Sequence, residues 1–305
     1  MRACLVVGYG SIGKRHVQIL KNLGCRVSIV TSQKIEDNTC YATIKEALEE
    51  TLFDYVIIAN PTYLHYSALT QLIKCNYQGV VLIEKPLFFQ VERLPENKIQ
   101  RILVAYNLRF HELLQQANKL IKDQKLITFS AYVGQYLPTW RMGVDYRECY
   151  SARKEQGGGV LRDLSHELDY TLWLCGACVD ATAVNGHFSH LEINSDDTCS
   201  IMMKCTRCPV VNVQVNYLDR FVKREITINT DQHTIFIDFI KEVLTIDGEM
   251  QTTCSQEMQK TYVKQHQAIM NEEFDHCCSY SEGLSVMKLI DAAEKASAAQ
   301  MWVSL

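Results

Sequence analysis

No apolar run in the 305-residue chain approaches the roughly 20 residues that a bilayer-spanning helix needs, which sets membrane passage aside. Basic charge is not in excess either. Lys and Arg number 31 against 35 Asp and Glu, a net charge of −4, so the electrostatic footprint of a nucleic-acid binder is missing. Internal repeats and low-complexity tracts are absent, and Met1-Arg2 runs straight into an apolar stretch, so no signal peptide is expected. A cytoplasmic location and reduced thiols for the 13 cysteines follow as expectations. What the chain does have is the balance of a globular protein, 47% hydrophobic and 22% charged, at a length that suggests about two domains.

The first ordered feature is a glycine turn, Gly8-Tyr-Gly10-Ser11-Ile12-Gly13, between the apolar run Ala3 to Val7 and a segment of helical period. In a strand–turn–helix context, Gly8 permits the tight turn, Gly10 admits a pyrophosphate to the backbone, and Gly13 lets helix pack on strand. The helix N-terminus near Ser11 then offers free N–H groups to an anion. The second strand, Arg26 to Val30, ends in Thr31-Ser32-Gln33-Lys34, with no acid where an NAD-selective site holds one for the ribose 2′-hydroxyl. Hydroxyls and Lys34 suit a 2′-phosphate, so NADP is preferred over NAD. Glu36 or Asp37 could supply the acid if the register shifts.

Further strands are expected at Tyr55 to Ala59, Val80 to Ile83 and Arg101 to Ala105, alternating with helices at Thr43 to Glu50 and Tyr63 to Lys74. That alternation predicts an N-terminal Rossmann unit, a doubly wound parallel α/β sheet over residues 1–107. Beyond it, a helix from Phe110 to Ile121 leads to strand-like runs that follow one another with short turns. Residues 108–305 therefore read as an α+β domain with a mostly antiparallel open sheet. The stretch Gly134 to Gly159, polar and aromatic, is too long for a neutral connector and is a candidate substrate loop.

In an open parallel sheet, ligands sit at the carboxyl ends of the strands, where Asn60, Glu84, Lys85 and Asn107 fall. Lys85 suits proton transfer at a hydroxyl whose carbon exchanges hydride. Asp163, His166, Asp169 and Tyr170, placed on one helix, share a face and combine an imidazole with carboxylates. Two CxxC pairs, Cys175/Cys178 and Cys205/Cys208, mimic a four-thiolate zinc site. The first ends an apolar helix and the second lies between two strand-like runs, so core packing is the preferred reading and no metal is expected.

Six pieces in order along the chain resemble the glucose-fructose oxidoreductase/inositol dehydrogenase (Gfo/Idh/MocA) family. They are Gly8 to His16, Asn60-Pro-Thr-Tyr-Leu-His65, Glu84-Lys85-Pro86, Tyr106-Asn-Leu-Arg-Phe110, the Gly157 to Asp169 block, and Glu282-Gly-Leu through Trp302. The resemblance implies hydride transfer between nicotinamide and a ring carbon of a sugar, cyclitol or nucleotide sugar. It gives Lys85 the role at the reacting hydroxyl, His166 the acid–base or orienting role, and Asp163 a substrate contact. The family's usual spacing from that Asp to the His is one residue longer. Cofactor contacts carry over to Gly8, Gly10, Ser11, Ile12, Gly13, Arg15, Thr31, Ser32, Asn60, Pro61, His65 and Glu84. Substrate contacts carry over to Asn107, Arg109, Trp140, Arg141, Tyr146 and Asp169. The block from Gly134 to Arg153 resembles a bacterial subgroup associated with nonulosonic sugars, and its arginines and aromatics suit an activated amino sugar or sugar phosphate. The resemblance also implies a homodimer or homotetramer through the C-terminal sheet. The readings that compete with an enzyme are a silent dinucleotide-binding scaffold of the same fold and a methyltransferase. Lys85 speaks against the latter.

Overall fold

Five consecutive buried apolar residues, Ala3–Val7, form β1 in the interior of the first sheet of the computed structural model, which describes every residue except Asp37 and Gln256. A run apolar on both faces suits a strand covered by helices on both sides. After it come α1 (Ser11–Asn22), β2 (Arg26–Val30), β3 (Thr39–Tyr41), α2 (Ile44–Glu50), β4 (Tyr55–Ile58), α3 (His65–Lys74), β5 (Val80–Ile83) and β6 (Arg101–Val104). The second unit begins with α4 (Glu112–Leu120), β7 (Leu126–Gly134), α5 (Val160–Asp163) and α6 (His166–Cys175). Its strands continue as β8 (Cys178–Gly186), β9 (Thr198–Cys205), β10 (Val210–Asn216), β11 (Lys223–Thr230), β12 (Thr234–Asp238), β13 (Val243–Ile246) and β14 (Glu249–Thr253). The chain ends with α7 (Glu257–Met270), β15 (Cys278–Ser279), α8 (Tyr280–Ala299) and β16 (Val303–Ser304).

The first sheet has the order β15-β6-β5-β4-β1-β2-β3, parallel throughout except for β15. Strand order reverses between β1 and β4, the switch point where open α/β sheets take their ligands. The second sheet, β14-β13-β12-β11-β7-β10-β9-β8-β16, is antiparallel apart from the β7–β10 pair. Both expected sheet types are thus present. Two compact units form, Met1–Asn107 with Tyr262–Leu284, and Leu108–Thr261 with Ser285–Leu305. The stretch Tyr262–Leu284 therefore belongs with the first unit, an association between distant segments that no local pattern signals.

Several elements differ from expectation. The helix expected to carry Asp163, His166, Asp169 and Tyr170 on one face is interrupted: Asp163 ends α5, Leu164 leaves the helical region at φ −102° and ψ 30°, and α6 starts at His166. Asp163 is therefore not on the helix of the other three. The 134–159 stretch is built from short 3-10 turns at Leu137–Thr139, Tyr146–Glu148, Tyr150–Ala152 and Lys154–Gln156. Strand β8 is mostly half-buried and β14 mostly exposed, so their sequences lack the apolar continuity that marks buried strands. Among the described residues no helix is long and apolar enough to cross a membrane.

Candidate functional site

The glycine turn does what its spacing requires. Gly8 sits at φ +100°, and a Cβ there would stand 2.6 Å from the Asn60 nitrogen. A Cβ at Gly13 would stand 2.2 Å from the Gly8 carbonyl oxygen, so the start of α1 packs on the turn as closely as backbone allows. Gly10, the N-cap of α1, has nothing within 4 Å of where a side chain would go, and the first helical turn carries no acid. Open space in front of unoccluded helix N–H groups fits a dinucleotide pyrophosphate. Ser11 and Arg15 are exposed and Ile12 is half-buried there, with the Arg15 guanidinium 4.9 Å from the Tyr262 ring centroid. At the tip of β2, the Thr31 hydroxyl accepts from the Gln33 N–H at 3.1 Å, and Ser32 is exposed. Glu36 is exposed nearby, and Asp37, the other alternative acid, lies outside the described residues.

The strand ends are tied to one another. The Glu84 N–H donates to Ile58 at 2.9 Å and the Ala59 N–H to Val7 at 2.8 Å, which places Gly8, Asn60, Glu84 and Lys85 along one edge. Exposed Pro61 follows Asn60, and a cis peptide joins Lys85 to Pro86. His65 is buried, with Nε2 2.9 Å from the Asn60 carbonyl and Nδ1 3.1 Å from that of Pro86. The ring braces the edge from beneath.

Glu84 is buried, and its Oε2 accepts the Lys85 N–H at 3.2 Å. Its Oε1 lies 2.8 Å from His16 Nε2, His16 Nδ1 lies 2.8 Å from His266 Nε2, and His266 Nδ1 lies 3.1 Å from the Tyr55 hydroxyl. A carboxylate only accepts, so His16 must donate from Nε2. In a neutral ring Nδ1 then accepts from His266, whose own Nδ1 accepts from Tyr55. One direction of donation thus satisfies the whole buried chain. Burial, with the neighbouring His16 second, holds His266 well below the ordinary imidazole range. Sequence reasoning passed over His266, because its role depends on where α7 packs.

In the second unit, Arg109 and Asp169 are brought together. Arg109 donates from Nε at 3.0 Å and from Nη2 at 2.7 Å, and the two side chains are 2% and 1% exposed. Both are expected at the substrate, yet the structure pairs them with each other, the arrangement in which such charges survive burial. Glu167, fully buried, accepts from Arg224 of β11 at 2.8 Å. These two pairs pin the first turn of α6, which leaves His166 half-buried at its start.

A second cluster gathers on Asp163. The Tyr217 hydroxyl donates to it at 2.7 Å, and Tyr150 hydrogen-bonds both Asp163 and Arg141. Removal from water, then the Asp163 charge, push the Tyr217 phenol up. Arg141 stacks on the Tyr150 ring at 5.3 Å, and Trp140 meets Tyr217 edge-on at 5.3 Å. Tyr146 instead accepts the Glu192 N–H with its hydroxyl. Asn107, buried, opens the turn after β6 in the first unit. Tyr217 is the member sequence reasoning missed, since it lies far along the chain, just past the end of β10.

The sequence model of an oxidoreductase family with an NAD-binding Rossmann fold matches residues 2–104, and that of the GFO/IDH/MocA C-terminal domain matches 114–236. No curated protein matches the chain. Among solved structures, levoglucosan dehydrogenase in complex with NADH is 16% identical, with 99% of this chain and 98% of that one covered and a TM-score of 0.84. The WlbA dehydrogenase from Bordetella pertussis in complex with NADH and UDP-GlcNAcA is 18% identical, with 99% and 98% covered and a TM-score of 0.80. A myo-inositol dehydrogenase from Corynebacterium glutamicum is 15% identical, with 100% and 99% covered and a TM-score of 0.77. At these identities the likeness is one of fold.

Two outcomes follow from the geometry. Replacing Asp169 with Ala removes the carboxylate facing the buried Arg109 guanidinium and should destabilise the protein by about 3–5 kcal/mol, to be read from denaturant or thermal unfolding. Burial also lowers His65 and His266 in the native state, so the folded chain binds fewer protons than the unfolded one. Stability is therefore complete above an ordinary imidazole pKa of about 6.5 and should fall as pH drops below it. His266→Gln should shallow that decline in melting temperature against pH; an unchanged slope would mean the ring takes no part in it.

Proposed function

The chain belongs to the Gfo/Idh/MocA oxidoreductase family, and on that premise we propose that it transfers a hydride between nicotinamide and a ring carbon of a sugar derivative. The observation that carries this reading is the edge of the first sheet, where Lys85 follows a buried, hydrogen-bonded Glu84 beside the open helix N-terminus at Gly10. When bound, the nicotinamide supplies or receives the hydride. Lys85 holds or releases the proton of the reacting hydroxyl, and His166 serves as the second proton-handling or orienting group.

The substrate class is an activated sugar, a nucleotide sugar or sugar phosphate, of the kind suited to nonulosonic pathways. Support comes from the Arg141, Tyr150, Asp163 and Tyr217 cluster, which offers a cation, a carboxylate and aromatic surface in one place. The WlbA neighbour, whose structure contains UDP-GlcNAcA, is in keeping with this choice. For the cofactor, the hydroxyls of Thr31 and Ser32 favour NADP, whereas the neighbours reported above that carry a cofactor carry NADH. The antiparallel sheet leaves Val184 63% and Met202 48% exposed, in keeping with a homo-oligomer formed through it.

Fluorescence titration with NADPH and NADH, alone and with nucleotide sugars and sugar phosphates, tests the reading. Tighter NADPH binding and a sugar-dependent change in the reduced cofactor are expected. Lys85→Ala should then lose about 10²–10⁴-fold in turnover while still binding cofactor. Full turnover in that variant would remove Lys85 from the chemistry, and binding with no turnover on any sugar would favour a silent scaffold.

A further inference from the structure

The two CxxC pairs have no part in this function, yet the fold brings them together within the second unit. Cys175 ends α6, Cys178 begins β8, Cys205 ends β9 and Cys208 lies in the turn before β10. The two loops interlock through backbone bonds, from the Thr206 N–H to Ala177 and from the Arg207 N–H to Cys175, both 2.9 Å. The thiols pair across the loops, not within each motif. Cys178 pairs with Cys205 and Cys175 with Cys208; the Cys178 thiol donates to the Asp180 carbonyl at 3.6 Å and the Cys208 thiol to that of Val210 at 3.5 Å.

This arrangement separates two chemistries. Four thiolates on zinc, each about 2.3 Å from the metal, stand about 3.8 Å from one another. Among the described residues the only three ligand groups that converge within 4.8 Å are His111, Glu242 and Cys254, so no three of the four sulfurs do. A disulfide needs only a pair. Cys178 and Cys205 are direct partners in the antiparallel β8–β9 ladder, where opposed Cα atoms stand about 4.5–5.5 Å apart. That range lies inside the roughly 4.4–6.8 Å that a disulfide spans.

We propose that Cys178 and Cys205 form a thiol-oxidation site that a peroxide converts to a cross-strand disulfide. The Cys178 thiolate attacks one peroxide oxygen, the O–O bond breaks, and a sulfenic acid and one water result. The Cys205 thiol then attacks the sulfenic sulfur, the S–S bond forms, and a second water leaves with the hydroxyl. Two thiols lose two electrons and two protons in all, and the peroxide is reduced to water. Cys178 is the point of entry because it is partly exposed, whereas Cys175 and Cys208 are sealed from solvent. The hydrogen bond with Cys205 also holds the Cys178 thiol below its ordinary range. The bridge would join two strands next to the end of α6, and it does not depend on the sugar reading.

The test treats the full-length protein with a small excess of hydrogen peroxide, blocks remaining thiols with N-ethylmaleimide, and maps unreduced peptides by mass spectrometry. A cross-linked Cys178–Cys205 peptide two hydrogens lighter than its parts, lost on adding dithiothreitol, is expected. Cys205→Ser should leave Cys178 as a sulfenic acid captured by dimedone, and Cys178→Ser should abolish the bridge with no change in reduced-state melting temperature. The proposal fails if Cys178 is alkylated to the same extent as half-buried Cys40 and Cys149 with no bridge formed. It fails equally if the bridge joins other cysteines, or if a copurifying metal protects all four thiols.

Discussion

A buried carboxylate at the end of a parallel strand is the constraint on which the functional edge of the first unit depends. Glu84 faces the interior, where a lone charge would be costly, and is held by a chain of donors from Tyr55 through His266 and His16. Each ring nitrogen has one role, so the carboxylate has one position. Its second oxygen takes the N–H of Lys85, which sets the backbone from which that amine projects. His65 fills the companion position at Asn60, its one imidazole packed between both strand-end segments with Nε2 toward the Asn60 carbonyl and Nδ1 toward that of Pro86.

The second unit solves a similar problem with full charges. Helix α6 is neither strongly capped nor far from the break at Leu164, and it is anchored by Asp169 to Arg109 and by Glu167 to Arg224. Removing one partner of such a pair costs more than the pair contributes, so these residues fix geometry more than they add stability. Just before the two anchors, at the start of the helix, His166 is only half-covered. The Asp163 cluster is assembled from a loop, a short helix and a strand end, which makes it a property of the fold and not of any motif.

Strands β1, β4 and β5 were legible because each is a short unbroken apolar run, as in Val80 to Ile83, whereas the three-residue β3, Thr39–Tyr41, went unread. The glycine turn was equally legible, since backbone clashes at Gly8 and Gly13 leave no alternative residue type. Reading failed where exposure blurred the pattern, as in β8, and where one backbone torsion intervened, as at Leu164. Nor did it show that Arg109 and Asp169, 60 residues apart, pair with each other.

By itself, then, the sequence determined the two sheet types, the anion-ready turn and the strand ends at which chemistry could occur, because these follow from local periodicity and backbone sterics. Only the tertiary structure decided which polar groups are partners. His266 reaches His16 across 250 residues, Tyr217 reaches Asp163 across 54, and the two CxxC motifs pair across their loops. Hydrogen bonds and ion pairs are short-ranged, so they are chosen by proximity in space, and in a folded chain that proximity is set by packing between distant segments.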